Sequence, residues 1–289
     1  LGYIWDKRIV ATVLLFWDYD TQWGADRSRT GGGPKNWGPL EFANTERLLE
    51  LHAHYDLTAC FAVVGAAALA GQHPYHDPDQ IRRIHAAGHE VGSHSMHHEW
   101  LPALAHAELR QSLADSKAAL EDCLGAEVVS FVPPFDMPMD YPAKGSFNLT
   151  ERREVKQNRT DLPRLCATLK AVGYRFCRVN YRPWWRALRQ RVTGQRPPDF
   201  PSHLEQIAGL TCLKVNNPPG FAAPVPQTLQ QLAHQEGYIV IYGHPHHLSR
   251  SDSAEGEPYL IPLLEQLADL QHAGLVTLTT PRQLLAAQK

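Results

Sequence analysis

No stretch of this 289-residue sequence is apolar for long enough to cross a bilayer as a helix, which excludes a helical membrane protein on the residues given. Cysteine is sparse: Cys60, Cys123, Cys166, Cys177 and Cys212 make an odd count with no Cys-x-x-Cys pair. Most sit in apolar or helical patterns, so reduced, buried thiols are expected instead of a disulfide framework. Neither sign of charge dominates. A formal net charge of -2 gives no global attraction to nucleic acid or to membranes. No internal repeat and no linker interrupts the chain, so one domain spanning 1–289 is expected, with insertions at about 21–43 and 178–203. The apolar run "IVATVLLFW" resembles a signal-peptide core, but "DYD" follows it where a small-residue cleavage site would stand. It reads as a buried strand. A cytoplasmic location is the expectation, with a trimmed leader left open.

What is present alternates between strand and helix. Strands are expected at 9–17, 58–64, 127–132, 174–179, 238–243 and 275–280. Helices are expected at 44–55, 78–87, 105–124, 162–171, 225–235 and 260–272, with a short one at the end. Strands separated by helices of this length imply right-handed crossovers and a mostly parallel sheet, open or closed into a barrel. Functional loops of such folds gather at the carboxyl ends of the strands.

Three stretches lie at such ends. The first strand runs into "WDYDTQWG", where Asp18 and Asp20 share a face if the chain stays extended, with Trp17 and Tyr19 on the other. Two carboxylates on one face repel unless a cation or proton sits between them. A turn or N-cap aspartate explains one of them, less easily both. The second stretch, "GHEVGSHSMHHEW" at 88–100, holds four histidines. His94 and His98 stand at i and i+4, on one face if the segment is helical. With one carboxylate they form a three-ligand site with open positions. Polar helices also produce His-x-x-x-His by accident, and His89 and His97 read as structural or surface residues. In the third stretch, "YIVIYGHPHHL", His244 follows an apolar strand and is a candidate general acid or base. His246 is its rival and His247 a surface residue. A solvated, histidine-rich loop is the plain alternative.

Taken together, these stretches resemble the polysaccharide deacetylase (NodB-homology) family, carbohydrate esterase family 4. The aspartate pair is followed by "LTACFAVVG", similar to the family's "aTFFvvG". "IRRIHAAGHEVGSHSMHH" is similar to "GHEIgsHtxxH", and "AELRQSLADSKAALEDCLGAEVVSFVPPF" to the helix and strand leading to "RxPY". "LKAVGYRF" and "IVIYGH" resemble later segments, so the likeness covers nearly the whole chain. It implies an α/β fold of the distorted (β/α)7-type barrel kind. It also implies a metal site made by Asp20, His94 and His98, holding zinc or another divalent ion such as Co, Ni, Fe or Mn. Asp18 becomes the base, His244 the acid, and a backbone N–H near Phe135 the oxyanion donor. Trp23, Arg27 and His246 are expected at the substrate.

Three departures stand out. Tyr19 separates the aspartates that are adjacent in most of the family. Val132 occupies the place of the third-motif arginine that orients the base, and Arg27 or Arg29 is a candidate replacement. No aspartate is obvious near "RVNYRPWW", where the fourth motif supplies one. The expected activity is removal of acetyl from an N-acetylated sugar in surface-polysaccharide assembly. An allantoinase- or cyclic-imidase-like C–N hydrolase and a binding domain without catalysis remain alternatives. Six arginines between Arg178 and Arg196, with no acidic residue among them, suit a phosphate- or nucleotide-linked substrate or a membrane surface. A solvated helix face would explain them equally well.

Overall fold

The computed structural model describes residues 10–28, 36–136, 161–181, 188, 192, 202–233 and 235–288. The chain begins with β1 (Ala11–Tyr19), α1 (Thr21–Arg27), α2 (Gly38–Tyr55), β2 (Cys60–Val63), α3 (Pro78–Ala86), β3 (Glu90–Ser93) and α4 (His106–Leu124). It continues through β4 (Ser130–Phe131), α5 (Leu162–Val172), β5 (Phe176–Val179), β6 (Leu204–Ile207), β7 (Leu210–Lys214) and α6 (Val225–Leu232). β8 (Gly237–Gly243), α7 (Glu257–His272), β9 (Val276–Leu278) and α8 (Pro281–Ala287) complete it. Several helix starts are written in the sequence. The Asp77 side chain accepts from the Gln80 N–H ahead of Pro78, Asp161 accepts from the Arg164 N–H, and Thr280 with Gln283 forms a capping box.

The strands form one curled sheet in the order β6-β7-β5-β4-β3-β2-β1-β8, with β9 paired to β1. Every pairing is parallel except the β6–β7 hairpin. Seven parallel strands from β7 to β8 therefore carry the expected (β/α)7-type architecture. On the side of β8 away from β1, a backbone bridge between Ser202 and Tyr238 is supplemented by side chains. Asn216 donates to the Tyr238 carbonyl (2.8 Å) and accepts from the Val240 N–H (3.0 Å), while Asn217 donates to the Val240 carbonyl (3.1 Å).

Alternation along the strands sorts the core into two layers. Leu14, Phe16, Ala62, Val132, Phe176, Leu213, Val240 and Tyr242 pack together on the concave side. Val13, Leu15, Trp17, Tyr19 and Phe61 pack on the other side against Leu48, Ile81, Leu113 and Leu260 of the helices. Asp18 falls in the inward phase of β1, and Arg178 in the inward phase of β5.

Some elements differ from the sequence reading. Residues 21–27 form α1, and α2 starts at Gly38 instead of Asn44, with Pro39 in its first turn where a missing N–H costs nothing. The β6–β7 hairpin was not foreseen. Its two-residue turn places Ala208 at φ 49° and Gly209 at φ 75°, a conformation that Asn-Gly or Asp-Gly would have announced. Arg178, which the arginine run and the expected strand 174–179 both include, belongs to β5. Arg29, Trp184, Trp185, Arg182, Arg186, Arg189, Arg191 and Arg196 lie outside the described residues.

Candidate metal centre and acid–base site

His94 does not sit on a helix, contrary to the one-face argument for the His-x-x-x-His spacing. It follows directly on β3, and its loop turns through two left-handed residues, Ser95 at φ 65° and His98 at φ 57°. Ser95 Oγ donates to Glu99 (2.6 Å), the His97 N–H donates to the same carboxylate (2.9 Å), and Ser112 of α4 ties its other oxygen down (2.9 Å). The turn, not a helical pitch, brings the two imidazoles together.

Asp20 does not continue the extended strand either. It has already turned into α1 at φ -85° and ψ -33°, so Asp18 and Asp20 serve different neighbours. Asp20 Oδ1 lies 3.3 Å from His94 Nε2 and 3.3 Å from His98 Nε2, all three side chains being buried. These atoms lie within 4.8 Å of one another, and theirs is the one such grouping among the described residues. His94 Nδ1 stands 2.8 Å from the Val132 carbonyl, which can only accept, so the proton sits on Nδ1 and Nε2 turns its lone pair on Asp20. Asp20 Oδ1 is buried and accepts no conventional hydrogen bond. Inward-facing lone pairs of this kind suit a cation. The 3.3 Å from Asp20 Oδ1 to each imidazole nitrogen is the separation that ligand atoms bonded at about 2.0–2.1 Å to one shared ion would have. Gly24 makes room for the carboxylate, since a Cβ there would come within 2.5 Å of Asp20 Cβ.

Asp18 has a partner that no local motif announced. Arg178 grips it with both arms, Nη1 to Oδ1 at 2.8 Å and Nη2 to Oδ2 at 2.5 Å. The guanidinium is 1% exposed and lies over the Tyr242 ring (4.4 Å) and the Phe16 ring (5.3 Å). Arg178 thus stands to Asp18 as the third-motif arginine would, from β5 instead of β4. Arg27 does not fill that place: it lies over the Trp23 ring at 5.6 Å.

His244 also has an unannounced partner. Its backbone N–H donates to Glu255 Oε2 (2.6 Å), and its Nδ1 meets the same oxygen at 2.8 Å. His244 Nε2 faces Asp18 Oδ2 at 3.9 Å. Burial opposes the imidazolium, yet Glu255, Asp20 and Asp18 outweigh it and raise His244 well above the ordinary histidine value. Glu255 is buried too, but His244 holds its carboxyl down at about 2. Gly243 leaves space for this pair, because a Cβ there would lie 3.3 Å from Glu255 Oε2 and 2.5 Å from the Phe221 ring.

The remaining sequence candidates are placed as follows. His246 is buried and stacked on Trp37, with ring centroids 4.3 Å apart. Burial and His244 push its pKa down to about 3, which leaves it neutral where His244 is charged. Phe135 has φ 63° and packs its ring against His98 at 4.3 Å. Trp23 is enclosed by Tyr75 (5.1 Å), His97 (4.8 Å) and His76 (5.9 Å). His89 is structural, accepting the Ala59 N–H at 3.2 Å.

The curled α/β sheet thus carries an Asp/His/His group and an Asp/His pair at its strand ends. Residues 36–142 match the family described as polysaccharide deacetylase, so the resemblance carried by the motifs is borne out. The family match supports an amide hydrolase of the N-deacetylase type. The fold is similar to that of a protein from Mycobacterium smegmatis assigned to the polysaccharide deacetylases. Identity there is 17%, with 97% of this chain and 90% of that chain covered at a TM-score of 0.57. A Pseudomonas aeruginosa PAO1 protein assigned to the same group is 12% identical, with 94% and 89% covered and a TM-score of 0.62. An allantoinase, PuuE, is 14% identical, with 96% and 90% covered and a TM-score of 0.62. Among the described residues no helix is long and apolar enough to cross a membrane.

Proposed function

We propose that this protein is a metal-dependent N-deacetylase that removes acetyl from an N-acetylated sugar, as precursor or polymer, in surface-polysaccharide biosynthesis. The observation that carries the reading is the meeting of Asp20, His94 and His98 beside an oriented carboxylate and a carboxylate-backed histidine. Asp20, His94 and His98 would hold the ion. When bound, a divalent cation such as zinc acidifies water and polarises an amide carbonyl.

The chain's own groups supply the rest. Asp18, aimed by the two-armed contact with Arg178, takes a proton from the attacking water. His244 carries its proton on the Nε2 side, because Glu255 engages Nδ1, and gives it to the amide nitrogen as the C–N bond breaks. The backbone N–H near Phe135 is the oxyanion donor in this reading. The products are acetate and a free amine. The arginine run beyond β5 suits a phosphate on the sugar's carrier or a membrane surface nearby. Trp23, Arg27 and His246 belong to the substrate side, His246 through the loop it stiffens.

Val132 at the third-motif position favours a second reading, an allantoinase- or cyclic-imidase-like hydrolase, since the motif lacks its arginine. Incubation with N-acetyl sugars, ureides and cyclic imides separates the two. Acetate release from an N-acetyl sugar supports the first; turnover of a ureide or imide alone replaces it with the second.

A further inference from the structure

One helix touches both halves of the site. Glu41, in the first turn of α2, is fully buried and accepts two backbone N–H groups, that of Asp20 at Oε1 (3.0 Å) and that of Thr21 at Oε2 (2.5 Å). Thr21 is left-handed at φ 55°, a conformation that a β-branched residue adopts only when its surroundings hold it. Three residues further along the same face, Asn44 donates to the Pro245 carbonyl (2.8 Å) and to Ser249 Oγ (3.2 Å). Trp37, immediately before α2, is stacked on His246 with planes 7° apart. Glu41 Oε1 and His246 Nδ1 stand 3.9 Å from each other between the two loops.

We propose that Glu41 and Asn44 are positioning residues of a brace by which α2 fixes the Asp20 turn and the His244 loop at a set separation. Glu41 acts through the Asp20–Thr21 backbone on the aim of the Asp20 carboxylate. Asn44 acts through Pro245 on the acid. Neither side chain meets substrate in this arrangement. The inference rests on the reading of Asp20, His94 and His98 as metal ligands and adds residues to which that reading assigns no part.

The test is Co(II) affinity by chelator competition, with the cobalt d–d absorption as a second readout. In Glu41→Gln one oxygen remains an acceptor, while the new amide N–H₂ faces a backbone donor. The expected result is Co(II) binding weaker by about 10- to 100-fold, with an altered spectrum. Adding Thr21→Gly should recover part of that loss, because glycine holds the left-handed conformation without help. A packing role for Glu41 would give no such rescue. Asn44→Leu should keep parental Co(II) affinity and KM while kcat falls about tenfold or more, the signature of a displaced acid. If Glu41→Gln does not fold by circular dichroism, Glu41→Asp, whose carboxylate is one methylene shorter, replaces it and should also weaken Co(II) binding.

Parental affinity in the Glu41 variant, or no gain from Thr21→Gly, overturns the Glu41 half; parental kcat in Asn44→Leu overturns the other half. Failure of the parent protein to bind Co(II) overturns the metal reading and the brace with it, so the two failures are told apart.

Discussion

Arg178 and Asp18, 160 residues apart in the chain, meet as a two-armed pair inside the curl of the sheet, with contacts of 2.8 and 2.5 Å. Both are almost wholly buried, and Arg178 is further enclosed between Phe16 and Tyr242. Such a pair is worth little over an apolar substitute, but removing one partner strands the other charge in a dry interior. Asp18→Asn should therefore lower activity by roughly 100-fold or more and also lose stability, by up to about 3–5 kcal/mol. Arg178→Met should do the same. The double variant Asp18→Leu with Arg178→Met should melt above Asp18→Leu alone and Arg178→Met alone, although it stays inactive. Additive melting losses would show that the pair is not coupled as its geometry requires.

The metal ligands make a prediction with an internal control. His94→Ala or His98→Ala removes one of three protein ligands and should leave the purified protein without stoichiometric metal by mass spectrometry. His97 points to Glu99 and Trp23, so His97→Ala should keep its metal. Retained metal in both ligand variants would move the site elsewhere.

The acid makes a prediction in pH. His244 is raised well above its ordinary value of about 6.5, so the protonated, active form persists to higher pH than in an ordinary histidine and kcat falls as pH rises through the raised value. Glu255→Gln removes the charge that contributes most to holding the proton. The alkaline limb of the pH–kcat profile should move towards lower pH. A limb unchanged in Glu255→Gln would remove His244 from the role of acid.

Away from the site, His52 and His89 predict an acid weakness. Trp17 Nε1 donates to His52 Nε2 at 2.9 Å, and His52 Nδ1 faces the Leu57 carbonyl at 3.0 Å, so both ring nitrogens are committed in the neutral form. Burial, with His89 beside it, pushes His52 down to about 3, and burial holds His89 at about 4. Their folded pKa values lie below the unfolded value of about 6.5, so the unfolded chain binds more protons between these limits. Their contribution to stability is complete above about pH 6.5 and is lost as pH falls towards 4 and then 3. His89→Gln should flatten the melting temperature against pH over that window; an unchanged slope would point to other groups.

Much of the fold could be read from β1, whose apolar run and inward–outward alternation set both core layers. His94 and His98, with one of Asp18 and Asp20, can be singled out by residue type and spacing, and the family resemblance points to Asp20; the helical argument for their approach is the wrong physics. Ser95 and His98 reach left-handed conformations through Glu99, which a periodicity count does not register. Arg178 lies in the expected strand 174–179, but composition groups it with the arginines that follow and hides its need for a partner. The alternation Phe176 in, Cys177 out, Arg178 in would have marked it as an inward charge needing a partner. Glu255 and Glu41 gave no local sign, since each acts across a loop on a backbone N–H. The Ala208–Gly209 turn hid the β6–β7 hairpin by lacking the usual turn residues.

The central claim is that Asp20, His94 and His98 hold an ion needed for amide hydrolysis. Acetate released from an N-acetylated sugar should be measured before chelation, after metal removal, and after zinc or cobalt is returned. The account predicts that release stops on stripping and is restored by the added ion, while circular dichroism stays folded throughout. Undiminished acetate release from folded, metal-free protein would contradict it.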